Sequence, residues 1–231
     1  MPDDAQPRFT FAETLNGVMV ALLVTMTAVF LLQVLVPPFN EFAMAYLALD
    51  TGAFLGRLHL WQAVTSVFLH GGVQHFIGNM VFLWFFGSAL ANGWRTREFI
   101  GYFLLCGVVG SLCFYAVNVF RAGSIKGLGA SGAVFGLMVA YAMVYGERLI
   151  LAFFMIPMRA KFFVAICFGI ELILLWTGAQ DGVSHIAHVG GAVGGAVYLK
   201  VVWRRQDAAG GSRPPPGAGR IASLEIMDDD G

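Results

Sequence analysis

The sequence predicts an all-α fold, a polytopic bundle of six transmembrane helices, and three observations carry that expectation. Hydrophobic residues make up 58% of the 231-residue chain, charged residues only 12%, and the mean hydropathy is +0.74, whereas an ordinary water-soluble domain holds about a quarter charged residues. Six stretches approach the ~20 apolar residues needed to cross ~30 Å of hydrocarbon. Lys and Arg are also shared unequally between alternate connections.

The expected spans are residues 15–36, 73–92, 98–120, 129–146, 161–178 and 184–203. The first is too long for the core of a secretory leader and follows Asp3, Asp4 and Glu13 against Arg8, so it is expected to remain as a helix. Residues 1–14 then form a cytoplasmic N-terminal segment, 15–203 the membrane domain, and 204–231 a disordered cytoplasmic tail, because "GGSRPPPGAGR" and "MDDDG" hold too little apolar material for a core. The first connection is long but rich in Leu, Phe, Ala and Trp, and is expected in the membrane interface. Cys106, Cys113 and Cys167 all fall inside spans, where packing is the expected role.

Eleven of the 14 Lys and Arg residues lie on one side, and only Arg57, Arg121 and Lys126 on the other. The richer side is expected to be cytoplasmic, which puts both termini there and the first, third and fifth connections outside. The net charge of zero gives no footprint for a nucleic acid. The expected environment is the lipid bilayer.

Few polar groups enter the spans, and each is expensive there unless it is paired or serves a site. His75 and Asn79, four residues apart, share a helix face near the outer end of the second span. Ser131 opens the fourth span on that side, and His185 and His188 open the sixth. Glu171, in the fifth span, is expected far from the outer face as a protonated, hydrogen-bonded group. Gly132, Gly136 and Ala140 form one small-residue stripe, and Gly190 with Gly194 and Gly191 with Gly195 form two more. Such stripes let backbones approach closely, so the serine of one helix and a histidine of the other fall within the reach that nucleophilic catalysis needs. Periodicity alone does not separate His185 from His188. His188 lies a turn deeper and beside Gly190 and Gly191, which favours it, and leaves His185 at the rim, solvated or bonded to the fifth connection.

Three segments, "FLHGGVQHFIGN" (68–79), "GASG" (129–132) and "AHVGG" (187–191), resemble in order and placement those of the rhomboid family of intramembrane serine proteases, in its compact prokaryotic form. The resemblance implies a Ser131–His188 dyad without an acidic third member, and an oxyanion hole of His75, Asn79 and the backbone N–H of Ser131. It also implies Phe135 packed on the His188 imidazole. Gly129, Gly132 and His70 are the expected supporting residues, the glycines because a Cβ there obstructs an approaching peptide. The implied substrates are transmembrane proteins, the implied location a bacterial inner membrane with the site open to the outer face. One departure is Trp61–Gln62 where the family usually carries Trp-Arg, which leaves the anchoring of the first connection open. The competing reading is an inactive relative that binds transmembrane clients; loss of Ser131 or His188 would favour it, and both are present. With no HExxH pattern and no carboxylate accompanying His185 or His188 at ligand spacing, no metal and no cofactor are expected.

Overall fold

The computed structural model describes residues 16–152, 155–178 and 183–208. The expected segment 1–14, and the expected tail beyond residue 208, lie outside the described residues. Among the described residues eight α-helices occur in the order α1 Gly17–Leu35, α2 Pro37–Phe42, α3 Gln62–Thr65, α4 Val73–Gly93, α5 Thr96–Asn118, α6 Ser131–Tyr145, α7 Ala160–Thr177 and α8 His185–Ala208. The six long ones fall on the six expected stretches. Four of them, α1, α4, α5 and α7, are long and apolar enough to cross a membrane. At 15 residues, α6 is only ~22 Å long. Helix α8 continues to Ala208, past the expected end at 203, because Arg204, Arg205 and Gln206 favour helix as strongly as apolar residues do.

Among the described residues the other elements are a π-helical turn, Ala43–Leu47, a 3-10 turn, Ser66–Phe68, and four short strands in two antiparallel pairs. Strand β1 (Leu49–Asp50) in the α1–α4 connection pairs with β2 (Lys126–Gly127) in the α5–α6 connection. Strands β3 (Leu149–Ala152) and β4 (Ile156–Arg159) form a hairpin at the opposite end, joining α6 to α7. There Glu147 bonds Lys161 and lies 3.0 Å from Arg159.

Helices α5, α6 and α8 pack against one another at the centre, and glycine makes this possible. A Cβ placed on Gly191 would stand 2.0 Å from the carbonyl oxygen of Gly132, and one on Gly110 would stand 2.7 Å from that of Ala187. Deeper in the bundle, the side chains of Cys106 and Cys113 fill the space left at Gly136 and Gly190, and the Tyr102 hydroxyl occupies that at Gly195. That hydroxyl donates to Gly136 O at 2.8 Å, tying α5 to α6. Helices α1, α4 and α7 surround this centre. Val20, Val24, Leu31, Ile166, Ile170 and Ile173 on α1 and α7 stay exposed, as befits side chains that face acyl chains.

The close approach of α6 and α8 gives a direct test. Gly191→Ala should lower the thermal midpoint of the detergent-solubilised protein, overpacking a filled site costing about 1–3 kcal/mol. Gly169→Ala in α7, where nothing stands within 4 Å of the added Cβ, should leave the midpoint unchanged or slightly raised. Equal midpoints for the two variants would overturn this account of the centre.

Candidate active site

Ser131 is the first residue of α6, directly after Ala130 at the cap. Its backbone N–H is one of the donors that the helix cannot satisfy, and it sits at the positive end of the helix dipole. The turn before it requires Gly129, whose φ of +127° few side chains adopt; a Cβ there would stand 2.5 Å from Cε1 of His75. The N–H of Gly129 donates to Ser66 O at 2.9 Å. The small residues before the serine thus let the His75 ring lie directly against this turn.

Ser131, His75, His185 and His188 all line one cavity of about 1180 Å³ at the end of the bundle where the odd-numbered connections gather. The glycine-rich segment before the serine, Ile125 to Gly129, forms part of its wall. Phe135, one turn into α6, stacks on the His188 ring with centroids 4.6 Å apart and planes 13° from parallel. Among the described residues no hydrogen bond joins the Ser131 hydroxyl to His188; catalytic contacts in unliganded sites often tighten only with substrate bound. Asn79, one turn below His75, is buried and donates one amide hydrogen to the His75 carbonyl at 2.9 Å. The other amide hydrogen is free to serve a second acceptor.

The histidines of α8 differ from expectation. His185 is buried rather than at a solvated rim, and its Nδ1 lies 2.7 Å from Oε2 of Glu171. Nδ1 of His188 lies 2.9 Å from the same oxygen, less well aligned than the His185 bond. Glu171 therefore stands at the depth of the histidines, not far from them. The seven-residue step from Gly178 to His185 keeps the ends of α7 and α8 together, so residues about one or two turns from those ends meet. Glu171, His185 and His188 are also a set of metal-ligand types with donor atoms within 4.8 Å, which sequence spacing did not reveal. The His185 contact at 2.7 Å is a hydrogen bond, and the His188 contact at 2.9 Å is a close approach within ion-pair distance.

The α1–α4 connection, which closes one side of the cavity, is held at the Trp61–Gln62 pair whose departure from the family pattern left its anchoring open. Gln62 is fully buried, accepting from Asp50 N at 3.1 Å and donating to Tyr46 O at 3.3 Å. Trp61 Nε1 donates to that same Tyr46 oxygen at 2.8 Å. A neutral amide thus anchors this connection at Gln62. Asp50 accepts from Gly52 N, Ala53 N and the Ser124 hydroxyl. Burial alone would raise its carboxyl, but these bonds and the Lys126 charge hold it below the usual range. Lys126 donates to Met44 O at 2.6 Å, completing a clasp between the two connections around β1 and β2.

His70 precedes α4 and is buried, its backbone N–H bonded to Gln33 Oε1 of α1 at 3.1 Å. Its ring stands edge-on to Phe30, Phe76 and His75. The whole arrangement, a hydroxyl at a helix N-terminus lining one cavity with imidazoles, two of them beside a carboxylate, is suited to attack on a carbonyl with a base and an anion-binding turn at hand.

Comparison with known proteins adds an independent finding. The family model described as "Rhomboid domain" matches residues 57–205. The chain is 30% identical over 157 residues to RHOMBOID-like protein 12, mitochondrial, of Arabidopsis thaliana, covering 62% of this chain and 46% of that one. It is 29% identical over 198 residues to Rhomboid protein 1, mitochondrial, of Saccharomyces cerevisiae, covering 83% and 55%. It is 23% identical over 194 residues to Rhomboid protease GluP of Bacillus subtilis, covering 83% and 34%. The chain thus spans between about a third and rather more than half of these relatives.

Burial, with His75 nearby, lowers the pKa of His70 from 6.5 to about 4. The unfolded chain takes up this proton near pH 6.5 while the fold does not, so the fold is most stable above that pH. Stability should fall as the pH drops from about 6.5 towards 4, by about 3 kcal/mol in all from this one group. Thermal midpoints measured from pH 7.5 to 5 should decline more steeply for the wild type than for His70→Leu. Parallel slopes would show that His70 is not held neutral.

Proposed function

Because the chain belongs to the rhomboid family, we propose that it is an intramembrane serine endopeptidase that hydrolyses peptide bonds in or near transmembrane segments of membrane proteins. The observation that carries this reading is that Ser131, at the N-terminus of α6, and His188, on α8, line one cavity beside the Gly132–Gly191 contact. Ser131 Oγ attacks the substrate carbonyl carbon while His188 takes the hydroxyl proton. The oxygen that becomes negative is met by the Ser131 backbone N–H, the His75 ring and the Asn79 amide, and one such donor is typically worth about 3 kcal/mol. Collapse of the tetrahedral species breaks the C–N bond, and the departing amine takes the proton from His188. Water, activated by the same imidazole, then hydrolyses the acyl-serine ester and restores Ser131.

Several features support the assignment of roles. Gly129 leaves room for the His75 ring and Gly132 for the backbone of α8, and Phe135 holds the His188 ring by its face. His70, in its aromatic surroundings beside His75, steadies that ring. The reaction needs neither metal nor cofactor. The partners are transmembrane protein substrates within the lipid bilayer. The distribution of Lys and Arg supports cytoplasmic termini and a cavity facing outward, and the resemblance to the compact prokaryotic form of the family is what supports a bacterial inner membrane.

With a reporter transmembrane substrate in proteoliposomes, Ser131→Ala and His188→Ala should each abolish cleavage, and Ser131→Ala should abolish labelling by a fluorophosphonate probe. Asn79→Ala should slow turnover by about 10- to 1000-fold, and EDTA should have no effect. Labelling that persists without Ser131 would sink the assignment; binding of the reporter without cleavage by the wild type would favour an inactive client-binding protein. For orientation, a membrane-impermeant thiol reagent applied to intact cells should modify a cysteine introduced at Arg121 and miss one at Arg97. The reverse pattern would turn the site to the other side.

A further inference from the structure

We propose that Glu171 is a positioning residue for the Ser131–His188 pair: its carboxylate accepts the Nδ1 proton of His188 and leaves the Nε2 lone pair to receive the proton of Ser131. The inference rests on the protease reading and adds to it a third, acidic member, supplied by α7.

The geometry carries it. Glu171 Oε2 lies 2.9 Å from Nδ1 of His188 and 2.7 Å from Nδ1 of His185. A neutral imidazole holds one proton, and an acceptor at Nδ1 fixes it there, so Nε2 is the basic nitrogen. Nε2 lies on the opposite edge of the ring. Phe135 covers one face of that ring at 4.6 Å. One neighbour therefore sets its plane, and the other sets its rotation within the plane.

Charge leads to the same role. A carboxylate within a membrane helix is costly unless it is paired, and Glu171, whose side chain is only 12% exposed, has just the two imidazoles as ion partners among the described residues. His185 donates in good alignment and keeps the carboxylate in place; His188 meets the same oxygen at a poorer angle. When Ser131 gives its proton to His188, the ring becomes an imidazolium beside a fixed negative charge in a medium of low dielectric. The contact that is imperfect at rest thus strengthens as the oxyanion forms, which is the condition for lowering a barrier rather than tightening a ground state. A purely structural tie between α7 and α8 explains the pairing with His185. It gives no reason for Nδ1 of His188 to share the same oxygen.

The test uses the full chain in proteoliposomes, with Glu171→Gln, which keeps the shape, and Glu171→Asp, which keeps the charge. Glu171→Gln should lower kcat by about 100- to 10,000-fold with KM changed less than about threefold, the range expected when the acid that orients a histidine becomes an amide. Glu171→Asp should recover at least about tenfold of that loss. Nitrogen-15 spectra of histidine-labelled protein in micelles should show the proton of neutral His188 on Nδ1 in the wild type and redistributed in Glu171→Gln, which is a readout independent of activity. A wild-type kcat in Glu171→Gln, or a His188 tautomer that the substitution leaves unchanged, overturns the proposal. So does a loss shared equally by Gln and Asp variants whose thermal midpoints both fall, since that describes a structural tie. If wild-type protein neither cleaves nor labels while the Nδ1 signature is present and responds to Glu171→Gln, the protease reading fails and the hydrogen bond stands.

Discussion

At Gly132 and Gly191 one helix backbone meets another with no side chain between them, and the position of every group in the cavity follows from that contact. The carbonyl of Gly132 occupies the space where a Cβ of Gly191 would be. In a bilayer there is no hydrophobic force to press helices together, so close packing and short polar contacts must do so. Here the backbone of α6 just after Ser131 is pinned to the backbone of α8 just after His188. A larger residue at either glycine would move the serine and the histidine apart by about the width of a methyl group, and reacting geometries do not survive such shifts.

Around this fixed pair, the walls of the cavity are assembled from segments distant in the chain. The clasp of β1 and β2 joins the α1–α4 and α5–α6 connections, and Gln62 secures the first of these through backbone groups at Tyr46 and Asp50. Gln33 of α1 reaches the backbone at His70 in the same manner. Each of these is a neutral amide that bonds a donor and an acceptor at once, which suits a region where an unpaired charge would be expensive.

What the sequence makes legible here is whatever depends on local pattern. The six long helices follow from apolar length, and the meeting of α6 with α8 follows from glycine spacing, because both properties are written along single segments. The place of Glu171 is not legible there, although α7 ends within one residue of its expected bound, because the cavity reaches one to two turns into the bundle and the carboxylate meets its partners at that depth. The burial of His185 is not legible either, because its partner, Glu171, is on another helix. Gln62 stands out in the sequence only as a departure beside Trp61, and what it bonds is legible only when Tyr46 and Asp50 are folded around it. The extension of α8 is not legible from apolar length, because a helix has no reason to stop at the lipid surface when good helix-forming residues follow.

The exposed aliphatic belt on α1 and α7 means that the chain is governed by two different rules of substitution. At Val24, Ile170 or Ile173 the neighbour is a fluid acyl chain, which flows into any gap left by a smaller residue, so shape carries little information there. At Gly110, Gly132, Gly136, Gly191 and Gly195 the neighbour is another part of the protein that cannot flow. Mutational drift can therefore rewrite the outside of this molecule freely, while tolerance collapses within a few residues of each crossing point. A deep substitution scan would trace the three central helices as narrow stripes of intolerance, with no other knowledge of the fold.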